Sequence, residues 1–392
     1  MNSKVFFYLF ILISIATSCI SEFNAKLPSG DKQILIVDGN ISENSDAIFY
    51  LSKSIPMDIT IVPQENLNVN AKLTLIGSNG FESVPATNLG KGKYQLHVGE
   101  LVDNISYGIR IEYDGDIYES TLSKPIYTPE IDSISWIQPE NEGLIFFRVS
   151  THDNSDTPKF FMWNYTETWE ITAFYENTLF FDPDKKMYYV DDSMPYFFCW
   201  RNYESESYLI GSTESLKENR IVNKQLYSRE PGNDQFIVLY SVNVHQKAIS
   251  KEAYDYYLNK IKLNEEMGGL FTPQPFELTG NISCITNPSK KVMGYIEITK
   301  NTTQKRIFVY PNEITRPWLK SFCEKITADS VARFLNEYRI TYVDYYWLGN
   351  RPMGEIDILT SLPTEWSRVT CTDCRAIGGS KIKPDYWPNL HQ

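Results

Sequence analysis

Histidine is scarce in this chain, with four among 392 residues (His97, His152, His245 and His391). None stands near a serine or cysteine in a nucleophile motif. Neither G-x-S-x-G nor H-E-x-x-H occurs, which excludes motif-borne chemistry by an elbow serine or a helical zinc pair. Basic runs are missing as well. The formal net charge is −12, and phosphate backbones are held by clustered Lys and Arg, so nucleic acid is excluded as a partner. Past Ile15 no apolar stretch reaches the roughly 20 residues of a membrane-spanning helix. The C-x-x-C pair Cys371 and Cys374 has no second C-x-x-C or H-x-H to complete a four-coordinate zinc site. No metal and no cofactor is expected.

What is present begins at the N-terminus. Lys4 precedes an apolar run from Val5 to Ile15, then Ala16, Thr17, Ser18 and Cys19. A charged start, a short apolar segment and small residues before a cut form a secretory signal. Cys19 stands where a lipoprotein signal places its acylated cysteine, with Ala16 or Ile15 in place of the usual leucine. The competing reading is an ordinary secretory signal with an incidental cysteine. The expectation is a signal over 1–18, lipidation at Cys19 and a tether over 19–31. The lipid is then the only membrane contact, and several acyl chains hold more firmly than one.

Removing Cys19 leaves Cys199, Cys284, Cys323, Cys371 and Cys374. An odd number in an oxidising compartment leaves at least one thiol unpaired. A redox C-x-x-C needs a helix starting at the pair, whereas Arg375-Ala376-Ile377-Gly378-Gly379 reads as a loop. These five are therefore expected as disulfides or structural thiols.

A hydrophobic share of 42% supports a buried core, and an aromatic share of 14% suits pleated, half-buried surfaces. From 32 to 123 the chain reads as short strands divided by turns: Ile34–Val37, Ala47–Leu51, Asp58–Val62 and Ala71–Ile76. Asp114-Gly115 and Ser78-Asn79-Gly80 are the hairpin signals, with Tyr107–Tyr113 and Asp116–Leu122 as a paired set. This region is expected to be an immunoglobulin-like β-sandwich. Residues 124–130, with Pro125 and Pro129, form a linker.

A larger β-rich domain is expected over 131–392. Its strands are Ile131–Trp136, Gly143–Val149, Phe160–Thr172, Met187–Val190 and Gln235–Val244, the third of them long and half-buried. Two helices interrupt it. The first, near 250–267, starts at Ser250 and carries Tyr254, Tyr257, Leu258 and Ile261 on one stripe. The second, at 328–338, follows Thr327 and places Val331, Phe334, Leu335 and Tyr338 on another. Both stripes read as core.

Several segments are recognisable together: Ile210-Gly211-Ser212-Thr213, Gly268-Gly269-Leu270-Phe271-Thr272-Pro273, Gly280-Asn281-Ile282-Ser283-Cys284, Val292-Met293-Gly294-Tyr295, Cys371-Thr372-Asp373-Cys374-Arg375 and Lys383-Pro384-Asp385-Tyr386-Trp387. In this order the chain resembles a family of Gram-negative lipoproteins known as domain of unknown function number forty-two forty-nine. That resemblance implies an outer-membrane lipoprotein commonly encoded beside a TonB-dependent receptor. It implies no reaction and transfers no catalytic residue. The leaflet stays open, since Ile20-Ser21-Glu22-Phe23 has one acid where surface-export signals are acidic.

Other acidic groups read blandly. His152-Asp153-Asn154-Ser155-Asp156 is a turn, and Asp182 with Asp184, Asp191 with Asp192, and Glu265 with Glu266 belong to loops or helix ends. In the tail, Tyr386 and Trp387 either pack back onto the second domain or join Arg375 in a docking surface. The leading expectation is a non-enzymatic accessory or ligand-capture component beside an outer-membrane β-barrel receptor. One rival is a carbohydrate-binding or adhesion module, which coplanar exposed Trp or Tyr rings would support. The other is a hydrolase with a dispersed carboxylate site.

Overall fold

Alternation organises the first unit. In Ser45–Lys53 the side chains of Ala47, Phe49 and Leu51 point inward, and in Lys93–Val98 those of Tyr94, Leu96 and Val98 do the same. Leu35–Gly39 and Lys93–Val98 flank Ser45–Lys53 antiparallel in one sheet, with Thr87–Gly90 at its edge. Lys72–Gly77, Tyr107–Tyr113 and Asp116–Ser120 build the facing sheet. Asp114 and Gly115 both adopt positive φ (51° and 79°), as the mirror-image turn of a tight hairpin demands. Phe49, Tyr94, Leu96, Leu73, Ile109 and Ile111 fill the space between the sheets. The computed structural model describes residues 34–54, 69–140, 143–193, 195–206, 208–266, 278, 280–317, 323–339 and 341–391, without the side chains of 264–266. The signal, Cys19, the tether and the expected Asp58–Val62 strand lie outside them.

The sandwich does not end at residue 123. Ile282–Cys284 pairs antiparallel with Asp116–Ser120, extending one sheet. Val292–Met293 runs parallel to Leu35–Gly39 and extends the other, while Ile298–Thr299 pairs with Ile41–Ser42. Strands of two or three residues are too short to show alternation, so the return was illegible in sequence. Glycine lets it in: a Cβ on Gly294 would stand 2.2 Å from the Val37 carbonyl oxygen. The 124–130 segment is also pinned, for Thr128 donates its N–H to Asn301 Oδ1 at 2.8 Å and its hydroxyl to the Asn301 carbonyl at 2.7 Å.

The second unit is built on Phe160–Thr172. Phe198–Glu204 and Leu209–Ser212 pair with one edge of this strand, and Leu239–Ile249 with the other; Thr303–Val309 follows beyond. Phe161, Trp163, Tyr165, Trp169 and Ile171 face a core shared with the sheet of Ile131–Ile137, Ile145–His152 and Arg220–Arg229. The opposite face was expected to be open. Instead Ala253, Tyr256 and Tyr257 of the Lys251–Glu266 helix cover Phe160 and Met162 at one end. The C-terminal tail covers Thr168 and Glu170 at the other. The strand is thus buried on both faces at its ends. Another correction concerns Gln235–Val244: Asp234–Phe236 forms a 3-10 turn, and the strand is Leu239–Ile249.

A small C-terminal layer pairs Ile326–Thr327 and Asn350–Ile356 with Pro363–Arg368. Trp366 sits beneath it among Val331, Leu335 and Tyr345. The Ala328–Tyr338 helix occupies its expected span, yet Phe334 and Tyr338 of its stripe are exposed. Two short helices were not anticipated, Tyr342–Trp347 and Val369–Thr372. The first had a readable start, because Thr341 and Asp344 form a reciprocal capping box. Among the described residues, no helix is long and apolar enough to cross a membrane.

Candidate functional site

Among the described residues the cysteines settle into two cross-links and one thiol. Cys199 pairs with Cys374 and Cys323 with Cys371, while Cys284 is free and buried in the first sandwich. The C-x-x-C cysteines therefore do not close on each other. Cys374 fixes the tail side to the Phe198–Glu204 strand, and Cys371 fixes it to the approach to Ile326. A cross-link over a sequence separation of 175 restricts the unfolded chain strongly. Replacing Cys199 and Cys374 together by alanine should lower stability by about 2–4 kcal/mol relative to the oxidised wild type in denaturant titration.

The tail packs onto the second unit. Trp387 is buried, and its Nε1 donates to Glu170 Oε2 at 2.8 Å. His391 bonds the other oxygen of the same carboxylate through Nε2 and stacks on Phe198 at 3.6 Å. Tyr386 shares a hydrogen bond with the Thr168 hydroxyl at 2.8 Å and lies under the Arg306 guanidinium, 3.6 Å from ring centre to Cζ. Arg375 is not with them; it forks onto Asp373 and stacks over Tyr196. Trp387 thus belongs to packing, Tyr386 keeps an exposed edge, and Arg375 stands apart from both.

The remaining candidates resolve locally. His97 bonds Asp46 at 3.0 Å and His152 bonds Asp132 at 2.6 Å, and among the described residues no serine or cysteine is hydrogen-bonded to either imidazole. Burial, with Arg306 nearby, holds His245 below the ordinary imidazole value. Asp153 and Asp182 accept from backbone N–H groups two residues on, which makes them turn caps. Among the described residues no cluster of His, Cys, Asp or Glu could hold a metal ion.

One open cleft lies where the two units meet, with a volume of about 550 Å³. Glu252, Asp255, Tyr256 and Asn259 line one wall at i, i+3, i+4 and i+7, so one stripe of the Lys251–Glu266 helix faces it. Thr121, Asn281 and Tyr295 come from the sandwich side. Ser250 anchors the helix: its Oγ accepts from the Ala253 N–H at 3.1 Å and donates to Glu297 Oε2 at 2.7 Å, and Tyr295 shares a hydrogen bond with it at 3.2 Å. Burial raises Glu297 above the usual carboxylate range, and that acid faces the helix cap, not the cleft. Burial also pushes the Tyr295 phenol up to about 12. Among the described residues that line it, none is Lys or Arg. The wall chemistry is acidic, amide and aromatic, suited to a neutral polar or cationic ligand and repellent to anions. The apolar stripe of Tyr254, Tyr257, Leu258 and Ile261 lies on the opposite side of this helix, and the polar stripe stands in the sequence at the same spacing. Its partner wall is not legible there, because Thr121 and Asn281 meet it only through the returning strand.

Trp163, Trp169, Trp200, Trp366 and Trp387 are buried in cores, whereas Trp347 is exposed, at 70%. A family model described as "Domain of unknown function (DUF4249)" matches residues 20–305. That span includes both walls of the junction cleft and stops before the Cys371–Arg375 segment and the tail. No curated protein matches the chain. With most of its 392 residues inside the match, the chain belongs to the family of unknown function DUF4249.

Proposed function

We propose that this protein is a lipid-anchored, non-enzymatic component of the cell envelope. On this reading it captures a neutral polar or cationic ligand in the junction cleft and works beside an outer-membrane β-barrel receptor of the TonB-dependent type. The observation that carries the reading is the cleft itself, a concave site with one wall from each unit. Two further features support it. The Val5–Cys19 segment has the layout of a lipoprotein signal. The two cross-links suit an oxidising compartment. Glu297 serves the helix start and not the cleft, since its buried carboxylate accepts from the Ser250 N–H and hydroxyl.

Anchoring is tested at one sulfur. Cys19→Ser should move the protein from the membrane fraction to the soluble fraction and abolish incorporation of labelled fatty acid. An unlabelled wild type that still sediments with membranes sinks the anchor. A tagged wild-type chain, extracted in gentle detergent, should recover a large β-barrel protein by mass spectrometry. Recovery of none counts against the receptor partnership.

A further inference from the structure

A second cavity, of about 110 Å³, lies in the larger unit and shares no lining residue with the junction cleft. Phe180, Phe181, Tyr189, Tyr196 and Tyr346 wall it, and Arg351, Asp373 and Arg375 supply its charges. Arg375 donates through Nε and Nη2 to the Asp373 carboxylate, at 3.0 and 2.8 Å. Asp373 is therefore neutralised by its neighbour. Arg351 has no such partner: Nη1 donates to the Tyr346 and Asn350 carbonyls, each at 2.9 Å, and among the described residues no carboxylate pairs with it. Its guanidinium lies 4.0 Å from the Tyr346 ring centre. Two cations and one anion leave the site one positive charge in excess, in a chain whose formal net charge is −12. Asp373 acts on Arg351 only through space, its carboxylate being bonded to Arg375, and a half-buried charge without a directly paired counter-charge is costly unless something completes it. Burial accordingly pulls Arg351 below the ordinary guanidinium value.

The frame around these charges is stiff. Cys371 and Cys374 bracket Asp373, and each is cross-linked to a different strand-bearing segment. The Cys374 N–H donates to the Tyr196 carbonyl and the Arg375 N–H to Asp373 Oδ1, both at 2.9 Å. Asp373 and Arg375 are thus held in place before any ligand arrives, which lowers the ordering cost of binding.

We propose that this cavity binds the carboxylate end of a small, flat organic anion, with Arg351 as its charge partner and the aromatic walls against its apolar body. Guanidinium suits a carboxylate because its N–H fork matches the two oxygens. The site is independent of the junction cleft, so either can fail without the other.

The test uses the full chain with benzoate, benzamide and inorganic phosphate as probes in calorimetric or ligand-observed NMR titrations. Benzoate should bind at least about tenfold tighter than its uncharged isostere benzamide, and more tightly than phosphate. Arg351→Gln should erase the preference of benzoate over benzamide. Tyr189→Ala, at the exposed mouth, should weaken benzoate binding. Reducing the cross-links in folded protein should do the same. Equal binding of benzoate and benzamide, no binding of benzoate, or phosphate binding as tight as benzoate overturns the assignment. So does an Arg351→Gln variant that is folded and keeps the preference. The benzoate–benzamide comparison on wild type decides the matter even where that variant does not fold.

Discussion

Arg229→Ala should destabilise the protein by about 3–5 kcal/mol, the expected cost of stranding a buried charge. The charge is Glu167, whose side chain is 0% exposed between the two sheets of the second unit. Arg229 forks onto it, donating through Nε to Oε1 at 2.9 Å and through Nη2 to Oε2. The Tyr240 hydroxyl donates to Oε1 as well, and Tyr227 shares a hydrogen bond with Tyr240 at 2.8 Å. Burial opposes the guanidinium's charge, but Glu167 outweighs it and holds Arg229 above its ordinary value. Both tyrosines are driven far up, first by burial and then by neighbours that include Glu167. The double variant Arg229→Ala with Glu167→Gln isolates the cause. A neutral amide keeps an acceptor for Tyr240 and needs no counter-charge. The double variant should therefore recover a large part of the loss in guanidinium titrations. If it is no more stable than Arg229→Ala alone, the loss comes from missing guanidinium packing over Tyr227 and not from the stranded carboxylate.

The second large effect belongs to the tail. Trp387→Ala should cost more than about 3 kcal/mol, because it empties an indole-sized volume and takes a donor from a buried carboxylate. Trp387 packs with Trp200 and Leu239, and its ring meets Phe308 edge-on at 5.6 Å between centroids. Glu170 is fully buried, and its two oxygens depend on Trp387 and His391. Trp387→Phe separates the contributions: it keeps most of the packing and drops the N–H, for an expected loss of about 1–3 kcal/mol. Equal losses in the two variants would put the whole effect on the hydrogen bond. A chain ending at Ile382 should be at least as unstable as Trp387→Ala, measured by the same titration.

Local chemistry made much of this architecture readable. Asp114-Gly115 announced its hairpin because two successive positive-φ residues have few substitutes. Phe160–Thr172 is legible with both ends correct, since large side chains recur along it without a glycine or proline. Ala328–Tyr338 followed from its spacing. What failed was everything decided at long range. Thr168 and Glu170 look solvent-facing until the tail arrives from more than two hundred residues away. The cysteine partners could not be chosen by spacing, since connectivity is set by which strands become neighbours. Arg375 was marked in the sequence, but Arg351 and the aromatic walls were not, because a cavity exists only after Leu179–Asp182 and Asn350–Ile356 come together.

The return of Ile282–Thr299 to the first sandwich sets a timetable for synthesis. Ribosomes release a chain from its N-terminus, and leading domains ordinarily fold while the remainder is still being made. Here Leu35–Gly39 and Asp116–Ser120 emerge early, and the strands that close beside them come more than 160 residues later. Through that interval the nascent sandwich carries two unsealed rims, each able to recruit a foreign strand. The hazardous moment for this protein is thus its adolescence, and a helper that shields those rims would matter more than any added stability in the finished molecule.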